Sequence, residues 1–353
     1  MLLKNFAFIV LLLLLALPSK AQQVKVTFVN PGFAQENPTG NFWFNVSSLM
    51  DAAADDLNIE LTTVYAQRNH IRMKNLIDQV LTRKDHYIIL VDEKSAAAQA
   101  LLTSKHIHNK VLFLLNKPSK QEVLRLKARG MGILGSIVPD NFQAGRVLIQ
   151  ELENLIIKSA KNPTINTLAL LGDLATDAAR LREQGLLSHS NRSYYLKLLQ
   201  RVNAGWSEQE AYSITKGLLK RFENTKLIWA ANDAMAVGAS RAAEELSVRQ
   251  NIKIGGINWD KNQHQLLDVS VGGHVTLGAL AIVKIADFAA DNRNAIGDLT
   301  LPIFKAYQPK YAPLYQAIHG NNVAQIDFRY FSVAHATPTA KPFTLDNMTA
   351  LVK

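Results

Sequence analysis

Nine apolar runs, at residues 24–29, 59–64, 87–91, 111–115, 133–138, 167–171, 194–198, 227–231 and 253–257, alternate with stretches of helical spacing. Buried strands joined by helices in this order predict parallel sheets covered by helices on both faces. So many strands divide more readily into two doubly wound α/β lobes than into one sheet. The first set ends near residues 138–141, where Asp140 can cap the next helix. After the ninth run the pattern loosens: 269–274 reads as strand and 275–291 as helix, and an irregular tail holds strand-like stretches at 310–318 and 326–333.

The apolar run at 227–231 breaks at Asn232-Asp233 and continues as small and apolar residues at helical spacing, Ala236, Val237, Ser240 and Ala243. Asn and Asp therefore stand at a helix cap, beside free backbone N–H groups at the carboxyl end of a strand. Open α/β sheets bind ligands there. A cap with no further role accounts for the same two residues, and both readings stay open at this point.

This stretch, with the small residues that follow it, resembles the corresponding segment of periplasmic sugar-binding proteins of the ribose-binding type, and of the lactose-repressor effector domain. The resemblance implies two doubly wound lobes joined by three crossover strands, a ligand held between them, and a ligand bond from Asn232. It continues through other motifs in order. Ala178-Ala179-Arg180-Leu181-Arg182 is similar to a segment whose second Arg grips the sugar, here Arg182. Asn41-Phe42-Trp43-Phe44 looks like an element that supplies stacking rings, and Asp92 ends the third strand where the family carries Asn or Asp. Asn116-Lys117 stands in place of Asp-Arg, and Asn258-Trp259 falls where a ligand-binding Asp is usual. His274 follows Gly272-Gly273 where the family has a ligand-facing Gln. The implied ligand set is Asn41, Phe42, Trp43, Asp92, Asn116, Lys117, Arg182, Asn232, Asn258, Trp259 and His274. Amides in place of carboxylates change the count of donors and acceptors. They weaken the case for a plain pentose, and Lys117 with Arg182 brings in a ligand carrying an acidic group. The same resemblance assigns 24–139 and 275–319 to the N-terminal lobe, and 140–274 and 320–353 to the C-terminal lobe.

The N-terminus separates a secreted binding protein from a repressor. Lys4, the apolar run 6–17 and Pro18-Ser19-Lys20-Ala21 read as a cleavable export signal over residues 1–21, with an uncleaved signal-anchor helix as the alternative. The first strand follows almost at once, which leaves no space for a DNA-reading helix-turn-helix, and the expected location is the periplasm. The chain holds no cysteine, which excludes a disulfide framework and a lipid-modified Cys. Net charge is +10, or +8 without Lys4 and Lys20, and it is spread along the chain rather than gathered in a block, against nucleic-acid binding.

Other patterns carry less. Gly130-Met131-Gly132-Ile133-Leu134-Gly135 satisfies GxGxxG but follows a helix and enters a strand, the reverse of a dinucleotide site. It reads as a helix end and tight turn. His106 and His108 lack a third ligand and read as a surface loop, so neither a metal nor a cofactor is expected. Asp55-Asp56 and Glu244-Glu245 read as solvated helix faces. The sequence has no nucleophile elbow, HExxH or phosphate loop, so an enzyme ranks behind a binding protein. The expected function is capture of a sugar or polyol by a monomer, followed by delivery to an ABC importer. The alternative partner is a membrane sensor kinase or cyclase.

Overall fold

The computed structural model describes residues 23–35, 41–84, 87–158, 163–261, 266–291, 293–320 and 322–352. The segment read as an export signal, residues 1–21, lies outside them. The first sheet collects β1 (Lys25–Asn30), β2 (Glu60–Tyr65), β3 (Tyr87–Leu90), β4 (Lys110–Leu114) and β5 (Gly132–Pro139), with β11 (Gly297–Leu301) added at its edge. The second collects β6 (Ile165–Leu171), β7 (Leu196–Asn203), β8 (Leu227–Ala230), β9 (Lys253–Asn258) and β10 (Val269–Gly272), with β12 (Lys305–Ala306) at its edge. Strand orders are β11-β5-β4-β3-β1-β2 and β12-β10-β9-β8-β6-β7. Among the described residues every pairing is parallel except β10 with β12.

Helices fill the connections. The first lobe has α1 (Phe42–Asp56), α2 (His70–Leu81), α3 (Ala96–Thr103) and α4 (Lys120–Ala128). The second has α5 (Asn141–Ile157), α6 (Asp177–Ser190), α7 (Glu208–Arg221) and α8 (Asp233–Glu245). Helix α9 (Leu277–Ala290) returns to the first lobe and packs on α1. Central strands such as β8 are buried throughout, as a sheet covered on both faces requires. The chain passes between the two sheets three times: from β5 into α5, from β10 into α9, and from β11 into β12. Asp140 caps α5 by accepting the Gln143 N–H at 2.9 Å. Gly130, at φ 83°, ends the turn after α4, and His106 and His108 lie on an exposed loop.

The tail departs from the sequence reading in two ways. Residues 310–318 form not a strand but a short 3-10 turn (Pro309–Tyr311) and α10 (Ala312–His319). Proline in a first helical turn is favourable, and Leu314, Tyr315, Ala317 and Ile318 bury one helical face. Residues 326–333 likewise hold a 3-10 turn (Phe328–Phe331), whose rings three apart both face inward. The lobe assignment also differs. β12 joins the second sheet rather than the first, while α10 touches both lobes: Tyr315 Oη donates to Asp260 O at 2.8 Å, and the helix also packs against α1. Phe328 N–H then donates to Asp56 of α1 at 2.7 Å, and Ser332 Oγ to Asp287 of α9 at 2.6 Å, which ties 328–332 to the first lobe rather than the second. The terminal α11 (Leu345–Leu351) returns to the crossover, with Leu345 against Gly273. Asp56 is thus a tether for the tail and not only a solvated face.

Candidate ligand-binding site

A cavity of about 420 Å³ opens between the lobes, within the range of small-molecule sites. Its walls come from strand ends and the loops that follow them. From the first lobe come Gly32, Phe33, Phe42, Trp43, Arg68, Glu93, Leu115 and Asn116. The second lobe contributes Thr176, Ala178, Arg182, Trp206, Asn232 and Asn258. Pro139, Asn141 and His274 line it at the crossovers.

Arg182 is the charged centre. It is buried on α6, and its Nε donates to Asn141 Oδ1 at 3.0 Å while Nη1 donates to Ala231 O at 2.6 Å. Nη2 lies 3.3 Å from His274 Nε2. A guanidinium has five N–H groups, so two remain for other partners. Its Cζ lies 5.6 Å from the ring of Trp206 and 5.6 Å from the ring of Phe304, within cation–π range of both. Burial pulls its pKa down to about 10, against the opposing pull of Asp233 and Asp260, so it stays charged at neutral pH.

His274 is set by the same contact. Burial, then the neighbouring guanidinium, holds the imidazole well below its ordinary pKa, so it is neutral. Because Arg182 can only donate, His274 Nε2 accepts and the proton sits on Nδ1. That N–H is buried without a hydrogen-bond partner among the described residues. The ring packs at a tilt against Phe42, 4.8 Å away, and against Phe304, 4.5 Å away.

Asn232 answers both readings of the strand–helix junction. Its Oδ1 caps α8 through Met235 N–H at 2.9 Å, and its Nδ2 donates to Trp206 O at 3.2 Å, yet the residue also lines the cavity. Asp233 turns away. Its carboxylate takes Asp260 N–H at 3.0 Å and Ser270 Oγ at 2.7 Å, and burial with the nearby Asp260 raises its pKa. Asn258 Nδ2 donates to Asp260 at 3.3 Å.

Each wall presents a tryptophan seated against a glycine near a strand end. A Cβ on Gly32 would lie 2.3 Å from the side chain of Trp43, and one on Gly172 would lie 2.3 Å from the ring of Trp206. No residue larger than glycine leaves that space. Trp206 itself adopts φ 67° just before Ser207 caps α7.

Of the sequence-derived candidates, Phe42, Trp43, Asn116, Arg182, Asn232, Asn258 and His274 come together on the cavity, whereas Asn41, Asp92, Lys117 and Trp259 do not line it. Asp92 accepts Ala98 N–H at 2.9 Å and so stabilises the start of α3. Its burial raises its pKa to about 6. Trp259 is buried against Tyr307 and Tyr311 and donates to Ser270 O at 3.2 Å. Asn41 precedes α1 without a side-chain cap bond, and Lys117 is half-buried off the wall. Residues not singled out in the sequence include Trp206 and the pair Arg68–Glu93, joined at 3.1 Å.

Residues 32–271, about two thirds of the chain, match the sequence signature described as the periplasmic binding protein domain. The chain belongs to the periplasmic binding protein family. A crystal structure of a periplasmic sugar-binding protein from Pseudomonas fluorescens is 31% identical, with a TM-score of 0.80 over 93% of this chain and 99% of that one. This periplasmic binding protein is also similar to the D-apiose import binding protein of Paraburkholderia graminis, at 25% identity over 64% of its length, and spans 65% of that relative. A solute-binding protein from Actinobacillus succinogenes, solved with D-allose, shares the fold at 18% identity and a TM-score of 0.70, over 81% of this chain and 98% of that one. Its two open parallel-sheet lobes are the architecture of these neighbours.

Proposed function

We propose that this protein captures a neutral sugar or polyol in the interlobe cavity and presents it to an ABC-type permease. The carrying observation is the wall itself: four aromatic rings, Phe33, Phe42, Trp43 and Trp206, line it together with fixed amides and the Arg182 guanidinium, which has two N–H groups to spare. Rings suit the C–H face of a sugar, and fixed donors read its hydroxyls. The assigned ligand set is Phe42, Trp43, Asn116, Arg182, Asn232, Asn258 and His274, whose Nδ1–H takes a ligand oxygen as acceptor.

Charge balance favours a neutral ligand over an acidic one. Glu93 is paired with Arg68, buried acids stand behind Arg182, and Lys117 is off the wall. The import roles of the D-apiose relatives support delivery to a permease. Residues 1–21 are read as an export signal that places the protein in the periplasm, and N-terminal sequencing of secreted protein should begin after Ala21.

The test is native mass spectrometry of protein purified without refolding, followed by calorimetry with D-apiose, D-allose and myo-inositol. A co-purified neutral monosaccharide or polyol, or heat of binding with one of the three, is expected. Absence of both, with a carboxylated compound bound instead, overturns the neutral-ligand reading.

A further inference from the structure

We propose that Lys94 and Asp173 are positioning residues that latch the two lobes shut across the mouth of the cavity. Lys94 belongs to the turn after β3 in the first lobe, and Asp173 to the loop after β6 in the second. Their charged atoms lie 2.6 Å apart. Other ion pairs, such as Lys25–Glu60, Arg201–Glu183 and Arg241–Glu208, stay within one lobe. The Lys94 bond also holds the Asp173 carboxyl below its ordinary pKa, so that carboxyl is ionised at neutral pH.

Both partners are held in place rather than drifting on a free surface. Lys94 and Ser95 adopt φ 53° and 58°, a left-handed conformation that side chains other than glycine seldom take. Asp92 fixes one side of this turn through Ala98 N–H. On the opposite side, Asp173 Oδ1 accepts Ala175 N–H at 3.0 Å, and its carbonyl takes Thr176 Oγ1 at 2.7 Å, just before α6 begins.

The latch is joined to the cavity on each side. Glu93, adjacent to Lys94, lines the cavity and grips Arg68. Thr176 also lines it and caps α6, the helix that carries Arg182. A molecule that orders Glu93 and Arg182 therefore also aligns Lys94 with Asp173, and the pair in turn slows reopening. An exposed ion pair stabilises by about 0.2–1 kcal/mol, which corresponds to a change of about 1.5- to 5-fold in a closed-to-open ratio. That is small for folding but direct for a gate.

The latch is testable without any sugar, so its failure is separate from failure of the ligand reading. The chain has no cysteine, so Lys127→Cys and Lys220→Cys, exposed on α4 and α7, give one label per lobe. Pulsed electron–electron resonance then reads the interlobe distance distribution in the full chain. Lys94→Glu is expected to lower the closed-to-open ratio about 1.5- to 5-fold, and about 1 M NaCl to do much the same to the wild type. Lys94→Arg, which keeps the charge and leaves the Asp173 loop untouched, is expected to preserve closure at low salt. An unchanged ratio in Lys94→Glu overturns the proposal, and so does a Lys94→Arg variant as open as Lys94→Glu. Circular dichroism of each variant confirms that the fold is intact.

Discussion

The two walls of the cavity are built by different means. The first-lobe wall is chiefly rings, Phe33, Phe42 and Trp43, with one partly exposed ion pair, Arg68–Glu93. The second-lobe wall is a buried polar network in which Arg182, Asn141, Asn232, Trp206 and Asn258 are bonded to one another or to backbone and acids behind them. Preorganised donors lose little entropy on binding, whereas rings contribute area with little directional demand. The second lobe should therefore carry most of the discrimination between ligands, and the first most of the tolerance.

The sharpest way to break that contrast is Arg182→Ala. Loss of a charged donor from a desolvated site is expected to weaken ligand binding by about 2–4 kcal/mol, measured by calorimetry. Equal affinities would remove Arg182 from the binding wall. Asn232→Leu follows, with an expected affinity loss of about 1–3 kcal/mol and a stability loss of about 0.5–2 kcal/mol, because the same amide caps α8. Thermal melts with and without ligand separate the two effects; a variant stabilised by ligand as much as the wild type would leave Asn232 as a cap alone. On the ring wall, Phe42→Ala is expected to cost about 1 kcal/mol in affinity with little change in the ranking of sugars. A reordered ranking would show that the first lobe discriminates as well.

The smallest effect concerns the acid beneath the first-lobe wall. The folded pKa of Asp92 is raised to about 6 by burial, above its unfolded value of 3.8. Its stabilising contribution is therefore full below about pH 4 and is lost as pH rises through about 6. Relative to Asp92→Asn, the wild type should gain about 1 kcal/mol of stability between pH 7 and pH 5, read from urea midpoints. Parallel pH profiles for the two proteins would remove burial as the cause. Asp233 and Asp260 in the second lobe are raised in the same direction, so only the difference between the two profiles isolates Asp92.

How far the sequence reaches follows from the range of the forces involved. The strand-to-helix junctions are local: hydrophobic period and cap chemistry specify β8, Asn232 and α8 within one short stretch, and Asp140 with α5 likewise. Arg182 was reached through a motif around it. Trp206 was not, because its place depends on Gly172, which leaves room for the ring from a different strand end. Asp92 illustrates the opposite error, since a carboxylate ending a strand looks the same in sequence whether it faces a ligand or the N–H of Ala98. In the tail, Lys310 to Ile318 alternates enough to pass for a strand, and only the burial of Leu314, Tyr315, Ala317 and Ile318 distinguishes the helix.

The late arrival of β11 has a consequence for the order of events during folding. It pairs with β5, and Ser136 bonds Asp298 across 162 residues of chain. Until the chain has passed through β6 to β10 of the second sheet, the outer edge of β5 has no neighbour, which is the condition under which strands join the wrong partner. The incomplete first lobe is therefore a stage of folding at which a chaperone can act.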